Sequence, residues 1–256
     1  MNTSLVVFDW AGTLVDFGSR APLAAFLDAF AEAGLPITEA VARAPMGAHK
    51  RDHVREILAD PEVAGRVRRD LRREPDEDLV EELFLAFSRH LPAHVPAHAA
   101  PIPGVIETLE WLRRHGVSIG STTGYTRAMM AALEPVARAA GVAPDLVICA
   151  AEVPQPRPAP WACLRIAEQF GVHPSRAVKV GDTPADMAEG RNAGMRCVGV
   201  SATGNEVGLD AAVLGALDDR DRGARIARAE RHLFDAGADA VIESVADLPR
   251  WLETAG

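Results

Sequence analysis

The chain opens with a short apolar run over 4–9, in which Leu5, Val6, Val7 and Phe8 lead straight into Asp9. Unbroken apolarity over so few residues predicts a buried strand with its acid at the C-terminal end. Ala11, Gly12 and Thr13 then supply a turn. From about 21 to 90 the period becomes that of helices. Segments 22–33, 38–44, 50–59, 62–73 and 77–90 are predicted helical; Gly34 stops the first, and Pro45, Pro61 and Pro75 mark breaks between the others. Pro92, Pro96, Pro101 and Pro103 crowd the next stretch, which reads as a linker.

Beyond the linker, strand and helix patterns alternate. Strands are predicted over 117–122, 146–149, 177–180, 196–200 and 238–242, with helices over 105–115, 126–140, 160–170 and 185–193 between them. A charged stretch over 218–230 leads into a helix ending near Ala236, and 245–254 closes the chain as a last helix. Strands that alternate with helices of this length predict an α/β fold, a doubly wound, Rossmann-like parallel sheet covered on both faces. The expected division is an α/β core domain of 1–20 and 98–256 and an inserted all-helical domain of 21–97.

Composition narrows the function classes. The 256 residues carry 27 Lys+Arg against 36 Asp+Glu, a net charge of −9, which argues against a general nucleic-acid surface. No apolar run approaches the roughly 18 residues of a membrane span, and 4–9 is too short for a signal peptide. The three cysteines, Cys149, Cys163 and Cys197, have no CxxC spacing and suggest a reducing compartment, so a cytoplasmic location is expected. His94 and His98 have i, i+4 spacing, but Pro96 lies between them, and the pair reads as loop rather than metal site. Lys50 and Lys179 are the only lysines, so the basic groups are almost all Arg. A position that stays Lys suggests a need for an amine, since Arg neither deprotonates nor forms an imine.

In a doubly wound sheet, ligands bind outside the carboxyl ends of the strands. Four such ends carry reactive groups: 9–13 after the first strand, 121–126 after the second, Arg157 after the third, and 181–186, with Asp182 and Asp186, after the fourth. Together they suit phosphoryl chemistry. Aspartate oxygens bind Mg²⁺, Thr hydroxyls and helix-start N–H groups hold phosphate oxygens, and Arg balances the charge of transfer. An aspartate beside the metal can also be the nucleophile. Each piece alone has a bland reading as a turn cap, a loop or an exposed helix carboxylate; all four in order are harder to reach by accident.

These segments resemble the motifs of the haloacid dehalogenase superfamily, and the helical insert matches its cap domain. Within that superfamily the chain resembles the phosphonatase family, through 8–13, Pro45-Met46-Gly47 with Lys50 and Asp52-His53-Val54-Arg55, 120–127, Val153-Pro154 with Arg157-Pro158, and 179–195. The resemblance implies hydrolysis of a small phosphonate, phosphonoacetaldehyde, through a Lys50 Schiff base and an Asp9 aspartyl phosphate. It implies Mg²⁺ held by Asp9, the Ala11 carbonyl and Asp182, with Asp186 in support. Thr123 and Arg157 would hold the phosphoryl group. Met46, Gly47, His53 and Tyr125 would lie near the imine, with His53 as proton carrier. Arg51 and His53, together with burial, would lower the pKa of Lys50. Ala11 stands where phosphatases of the superfamily usually carry a second Asp, so the acid for an oxygen leaving group is missing. Ser19 departs from the Cys of some family members. The resemblance also implies a homodimer. A phosphatase or dehalogenase of the same fold, and a catalytically dead binding protein, are the rival readings.

Overall fold

The computed structural model describes residues 3–254. Six strands form one sheet: β1 (Leu5–Phe8), β2 (Ser118–Thr123), β3 (Leu146–Cys149), β4 (Ala177–Gly181), β5 (Arg196–Val200) and β6 (Ala240–Ile242). They lie in the order β3-β2-β1-β4-β5-β6, and every pair is parallel. The α/β reading is therefore correct. Phe8 pairs with Ser121 of β2 on one side and Val180 of β4 on the other. The strand order reverses at β1, which opens a crevice beyond the ends of β1, β2 and β4.

Between β1 and β2 every element is helical: α1 (Arg20–Glu32), α2 (Glu39–Arg43), α3 (Lys50–Ala59), α4 (Pro61–Arg66), a π turn (Val67–Leu71) and α5 (Glu77–His98). α6 (Val105–Arg114) follows and leads into β2; after β2 the helices are α7 (Arg127–Ala139), α8 (Trp161–Gln169), α9 (Pro184–Asn192), α10 (Ala211–Ala216), α11 (Asp219–Asp235) and α12 (Leu248–Thr254). The strands are almost wholly buried because helices cover both faces of the sheet, and only β2 (SIGSTT) and Lys179 of β4 bring polar side chains into its interior. Val6, Phe8, Val178 and Val180 pack into the large cluster that includes Leu109 of α6 and Leu252 of α12. Leu5, Val7 and Ala177 face Cys163 and Ile166 of α8 on the other side.

One expectation fails. The stretch around Pro92 and Pro96 is not a linker, and His94 and His98 do not lie in a loop; α5 runs through both prolines to His98. A proline inside a helix removes one backbone hydrogen bond and crowds the preceding turn. Here the side-chain spacing outweighs that cost. Leu79, Leu83, Phe87, Leu91 and Val95 make a continuous buried stripe at i, i+4, while both prolines sit on the exposed side. The far side of the stripe is pinned to α1 by His94 on Asp28 at 2.7 Å and by Arg89 and His90 on Glu32, each at 2.6 Å.

Candidate active site

The crevice at the strand-order reversal holds the reactive groups. Asp9 follows β1 directly, and its N–H donates to the Val180 carbonyl at 2.9 Å, so the nucleophile candidate is fixed by an extension of the sheet ladder. Asp182 follows β4. Its Oδ2 accepts from the Asn205 N–H at 2.7 Å and from the Ser19 hydroxyl at 3.2 Å, and its Oδ1 from the Thr13 hydroxyl at 3.2 Å. Thr183 caps α9, and Asp186 at the third helical position bonds back to it, with the Thr183 hydroxyl donating to Asp186 Oδ2 at 2.6 Å. That reciprocal cap aims the other Asp186 oxygen at the crevice, where it meets Arg157 Nη1 at 2.7 Å and Lys179 Nζ at 3.1 Å. Arg157 Nη1 also donates to Asp9 Oδ1 at 2.8 Å.

Ligand atoms of Asp9, Asp182 and Asp186 all lie within 4.8 Å of one another, the only such group among the described residues. The surrounding charges test whether a hard cation fits. Four buried carboxylates, Asp9, Asp182, Asp186 and Glu189, face two permanent cations, Arg157 and Lys179. The deficit shows in the titration of the acids. Burial first, then Asp186, pushes Asp9 up to about 6, although Arg157 opposes the shift. Burial, reinforced by Asp9 and Asp186, holds Asp182 well above the usual carboxylate range. Two carboxylates short of positive charge, with oxygen donors only, fit a divalent oxygen-seeking ion. Asp186 is different: burial is outweighed by Arg157 and Lys179, which hold it below its ordinary value. Its Oδ2 is taken by Thr183, while its Oδ1 lies against Arg157 and Lys179 without forming a hydrogen bond, which suits a supporting role.

The other wall comes from the helical insert. Met46, Gly47 and Lys50 line one pocket together with Asp9, Ala11, Ser19, Thr123, Tyr125, Arg157 and Asp182. Gly47 has φ +91°, and a Cβ there would stand 2.2 Å from the Thr183 hydroxyl oxygen. Only glycine lets this turn close so tightly on the core. Lys50 opens α3 and is buried. Its Nζ lies 3.9 Å from Met46 Sδ and 5.7 and 5.6 Å from the ring centres of Phe26 and Tyr125. Among the described residues no carboxylate is within ion-pair distance of it. Burial, aided by Arg157 and opposed by Asp9, brings its pKa down from 10.5 to about 8. Arg51 is not a cause: it turns away to pair with Glu81 at 2.7 Å and lies over the Phe84 ring.

His53 does not form part of the pocket wall. It packs behind Lys50 with its ring 4.0 Å from that of Phe26, and Nε2 bonds the Ala42 carbonyl at 2.8 Å. A carbonyl accepts, so Nε2 carries the proton and Nδ1 a lone pair; Nδ1 has no partner. Burial, then Lys50, keeps His53 well below its ordinary pKa. Tyr125 is held protonated by burial and by Asp16 and Asp9. Thr123 Oγ1 accepts from the Tyr125 N–H at 3.1 Å, which fixes the loop after β2.

Three groups that the sequence reading did not assign belong to this centre: Thr122, Lys179 and Glu189, all buried and all in contact with one another. Glu189 carried a usable signal. It lies three residues after Asp186 on α9, so the two share a helix face.

Comparison with known proteins agrees with this architecture. The profile of the haloacid dehalogenase-like hydrolases matches residues 3–194. Phosphonoacetaldehyde hydrolase of Nitratidesulfovibrio vulgaris (strain DSM 19637 / Miyazaki F) is 44% identical over 94% of this chain and 87% of its own length. The enzyme of the same name from Bacillus cytotoxicus is 42% identical over 99% of this chain and 96% of its own. Among solved structures, a phosphonoacetaldehyde hydrolase-like protein from Oleispira antarctica superposes with a TM-score of 0.97 at 36% identity, covering 99% of this chain and 92% of that one. A hydrolase fold, a clustered aspartate set and whole-length similarity converge: the chain belongs to the phosphonoacetaldehyde hydrolase family of haloacid dehalogenase-like hydrolases.

Proposed function

We propose that this enzyme hydrolyses phosphonoacetaldehyde to acetaldehyde and orthophosphate by breaking the carbon–phosphorus bond. The observation that carries the reading is Lys50: a buried amine without a carboxylate partner, in the same pocket as Asp9. Carbon is a poor leaving group from phosphorus, because it departs with the bonding pair as a carbanion. An imine removes that difficulty. Neutral Lys50 Nζ adds to the aldehyde carbon, and loss of water leaves a protonated imine. Asp9 then attacks phosphorus, and the carbon–phosphorus pair flows into the imine to give a neutral enamine. Water cleaves the aspartyl phosphate; protonation of the enamine carbon and hydrolysis of the imine release acetaldehyde and regenerate Lys50. One water is formed and two are consumed, so the sum is one hydrolysis.

The pKa of about 8 leaves a useful fraction of Lys50 neutral near physiological pH. Arg157 would hold phosphoryl oxygens as they leave carbon, Thr123 would donate to them, and Met46, Gly47 and Tyr125 would keep water from the imine. His53 Nδ1 is free to exchange a proton with groups around Lys50. Asp9, the Ala11 carbonyl and Asp182 would hold Mg²⁺, with Asp186 behind, and the ion would supply charge neutralisation for the incoming phosphoryl group. Ala11 at the position of the usual second aspartate agrees with a leaving group that needs no acid on oxygen.

Residues 21–97 would act as the cap, closing Lys50 over the core of 1–20 and 98–256. The family resemblance further implies a homodimer in the cytoplasm. Among the described residues no helix is long and apolar enough to cross a membrane. The deciding experiment is borohydride trapping with phosphonoacetaldehyde followed by peptide mass mapping. The expected adduct is on Lys50; an adduct on Lys179, or none, sinks the reading.

A further inference from the structure

Behind the guanidinium of Arg157 lies a set of three side chains, Thr122, Lys179 and Glu189, none of which lines the pocket itself. Thr122 Oγ1 accepts from Arg157 Nη2 at 2.7 Å and from Lys179 Nζ at 2.7 Å, and donates to Glu189 Oε2 at 2.9 Å. A hydroxyl has one proton and two lone pairs, so every valence of Thr122 is used and its rotor is fixed. Glu189 Oε2 also meets Lys179 Nζ at 3.0 Å and Arg157 Nε at 3.3 Å. We propose that Thr122, Lys179 and Glu189 are positioning residues, which set the guanidinium of Arg157 so that its Nη1 edge stays on Asp9, where the phosphoryl group is received.

The argument is one of competing attractions. Arg157 leaves a loop between β3 and α8, and its guanidinium is almost wholly enclosed, with 2% of the side chain exposed. Three carboxylates pull at it from two sides, Asp9 and Asp186 at Nη1 and Glu189 at Nε. Glu189 with no other cation would draw the guanidinium back from the crevice. Lys179 supplies that cation and also shares Asp186 with Arg157. Its Nζ stands 3.0 Å from Glu189 Oε2 and 3.1 Å from Asp186 Oδ1, so an ammonium answers the Glu189 carboxylate at closer range than the guanidinium does. Thr122 then fixes the third edge, Nη2. The packing is built for this lysine. Lys179 lies on the central strand β4, and a Cβ on Gly190 of α9 would stand 2.7 Å from Lys179 Cβ and 2.9 Å from its Cγ. Glycine at 190 lets the helix settle on the lysine stem.

The inference rests on the phosphoryl chemistry proposed above, and its test is chosen to fail separately. Three variants are compared with the wild type: Thr122→Val, which keeps the shape without the hydroxyl, Thr122→Ser, which keeps the hydroxyl, and Lys179→Met. The readouts are kcat and KM, calorimetric binding of orthophosphate, and borohydride capture of the Lys50 imine. Thr122→Val is expected to lower kcat by about 100-fold, the usual cost of a catalytic group misplaced by about 1 Å. Orthophosphate affinity should fall about tenfold, as for one weakened charge-assisted contact, while imine capture stays at the wild-type rate. Thr122→Ser should restore both values to within about threefold of wild type. Lys179→Met should follow Thr122→Val; should it not fold, the two Thr122 variants decide. The proposal is overturned by a Thr122→Val enzyme with kcat and orthophosphate affinity near wild type, by parallel loss of imine capture, or by a wild type that binds no orthophosphate. A wild type that binds orthophosphate yet leaves phosphonoacetaldehyde untouched refutes the substrate instead, and the orthophosphate ratios still judge the positioning.

Discussion

The two lysines of this chain are both buried, yet their surroundings drive them in opposite directions. Lys50 faces a thioether and two aromatic rings, and its pKa falls to about 8. Lys179 faces Glu189, Asp186 and a hydroxyl, and stays charged beyond its ordinary range. Burial is the first influence on each and lowers both. What differs is the company: without a counter-charge within reach, desolvation yields a nucleophilic amine, and with two it yields a fixed cation. In the proposed mechanism one residue type serves one site in two chemically exclusive ways, and substitution at each position tests the difference.

The largest effect is expected at Lys50. Lys50→Arg keeps the positive charge but removes the amine that the proposed mechanism converts to an imine, so acetaldehyde release should fall by at least about 1000-fold, the scale of losing a covalent catalyst. A variant that retains even a tenth of the wild-type rate breaks the contrast, because charge alone would then suffice. Arg at position 179 is a weaker probe, since a guanidinium is bulkier than the ammonium that Thr122, Asp186 and Glu189 enclose.

Stability should separate the pair next, with opposite signs. Lys179→Met removes one of two cations from each of Glu189 and Asp186, leaving only Arg157 to both; breaking a buried pair from one side typically costs about 3–5 kcal/mol. Lys50→Met removes an ammonium that folding makes harder to charge. A fall from 10.5 to about 8 corresponds to a cost of ~3 kcal/mol while the group is protonated in both states, so this variant should be more stable by up to that amount at pH 7. Urea unfolding of both variants beside the wild type measures the two values. Equal signs would show that burial rather than counter-charge governs these sites.

Much of this was legible in the sequence, and the gaps have physical causes. The strand ends bearing Asp9, Thr123, Arg157 and Asp182 follow from local apolar runs and the rule that ligands sit beyond the strand termini, so the motif residues needed no three-dimensional information. Lys50 was found through its neighbours along the chain. The Arg51 contribution was mistaken because adjacency in a helix does not place two side chains on one face; Arg51 turns outward to Glu81. The helix through Pro92 and Pro96 was missed because proline acts locally, whereas the stripe from Leu79 to Val95 is satisfied only in the folded chain, where α5 packs against α1, α3 and α7. Lys179, Thr122 and Glu189 form a unit only across β4, β2 and α9. Nothing in a linear reading joins positions so far apart.

The smallest expected effect is also the most discriminating. In the proposed mechanism the imine-forming species is the neutral amine, so the rate of imine capture should rise with pH as Lys50 loses its proton. Below about 8 the neutral fraction grows tenfold per pH unit; above it the fraction saturates and the rate should level. The sign in stability follows from the same two states. The folded chain gives up this proton near 8 and the unfolded chain only near 10.5, so between those values the unfolded state binds more protons and stability rises with pH. Lys179 contributes no such rise there, because it remains protonated in the folded chain throughout. Cyanoborohydride capture measured from pH 6 to 10 reads the first curve. A plateau that begins near pH 8 ties the amine to its apolar surroundings. A rate still climbing at pH 10 would mean that Lys50 keeps an ordinary pKa, and the contrast between the two lysines would then lose its electrostatic basis.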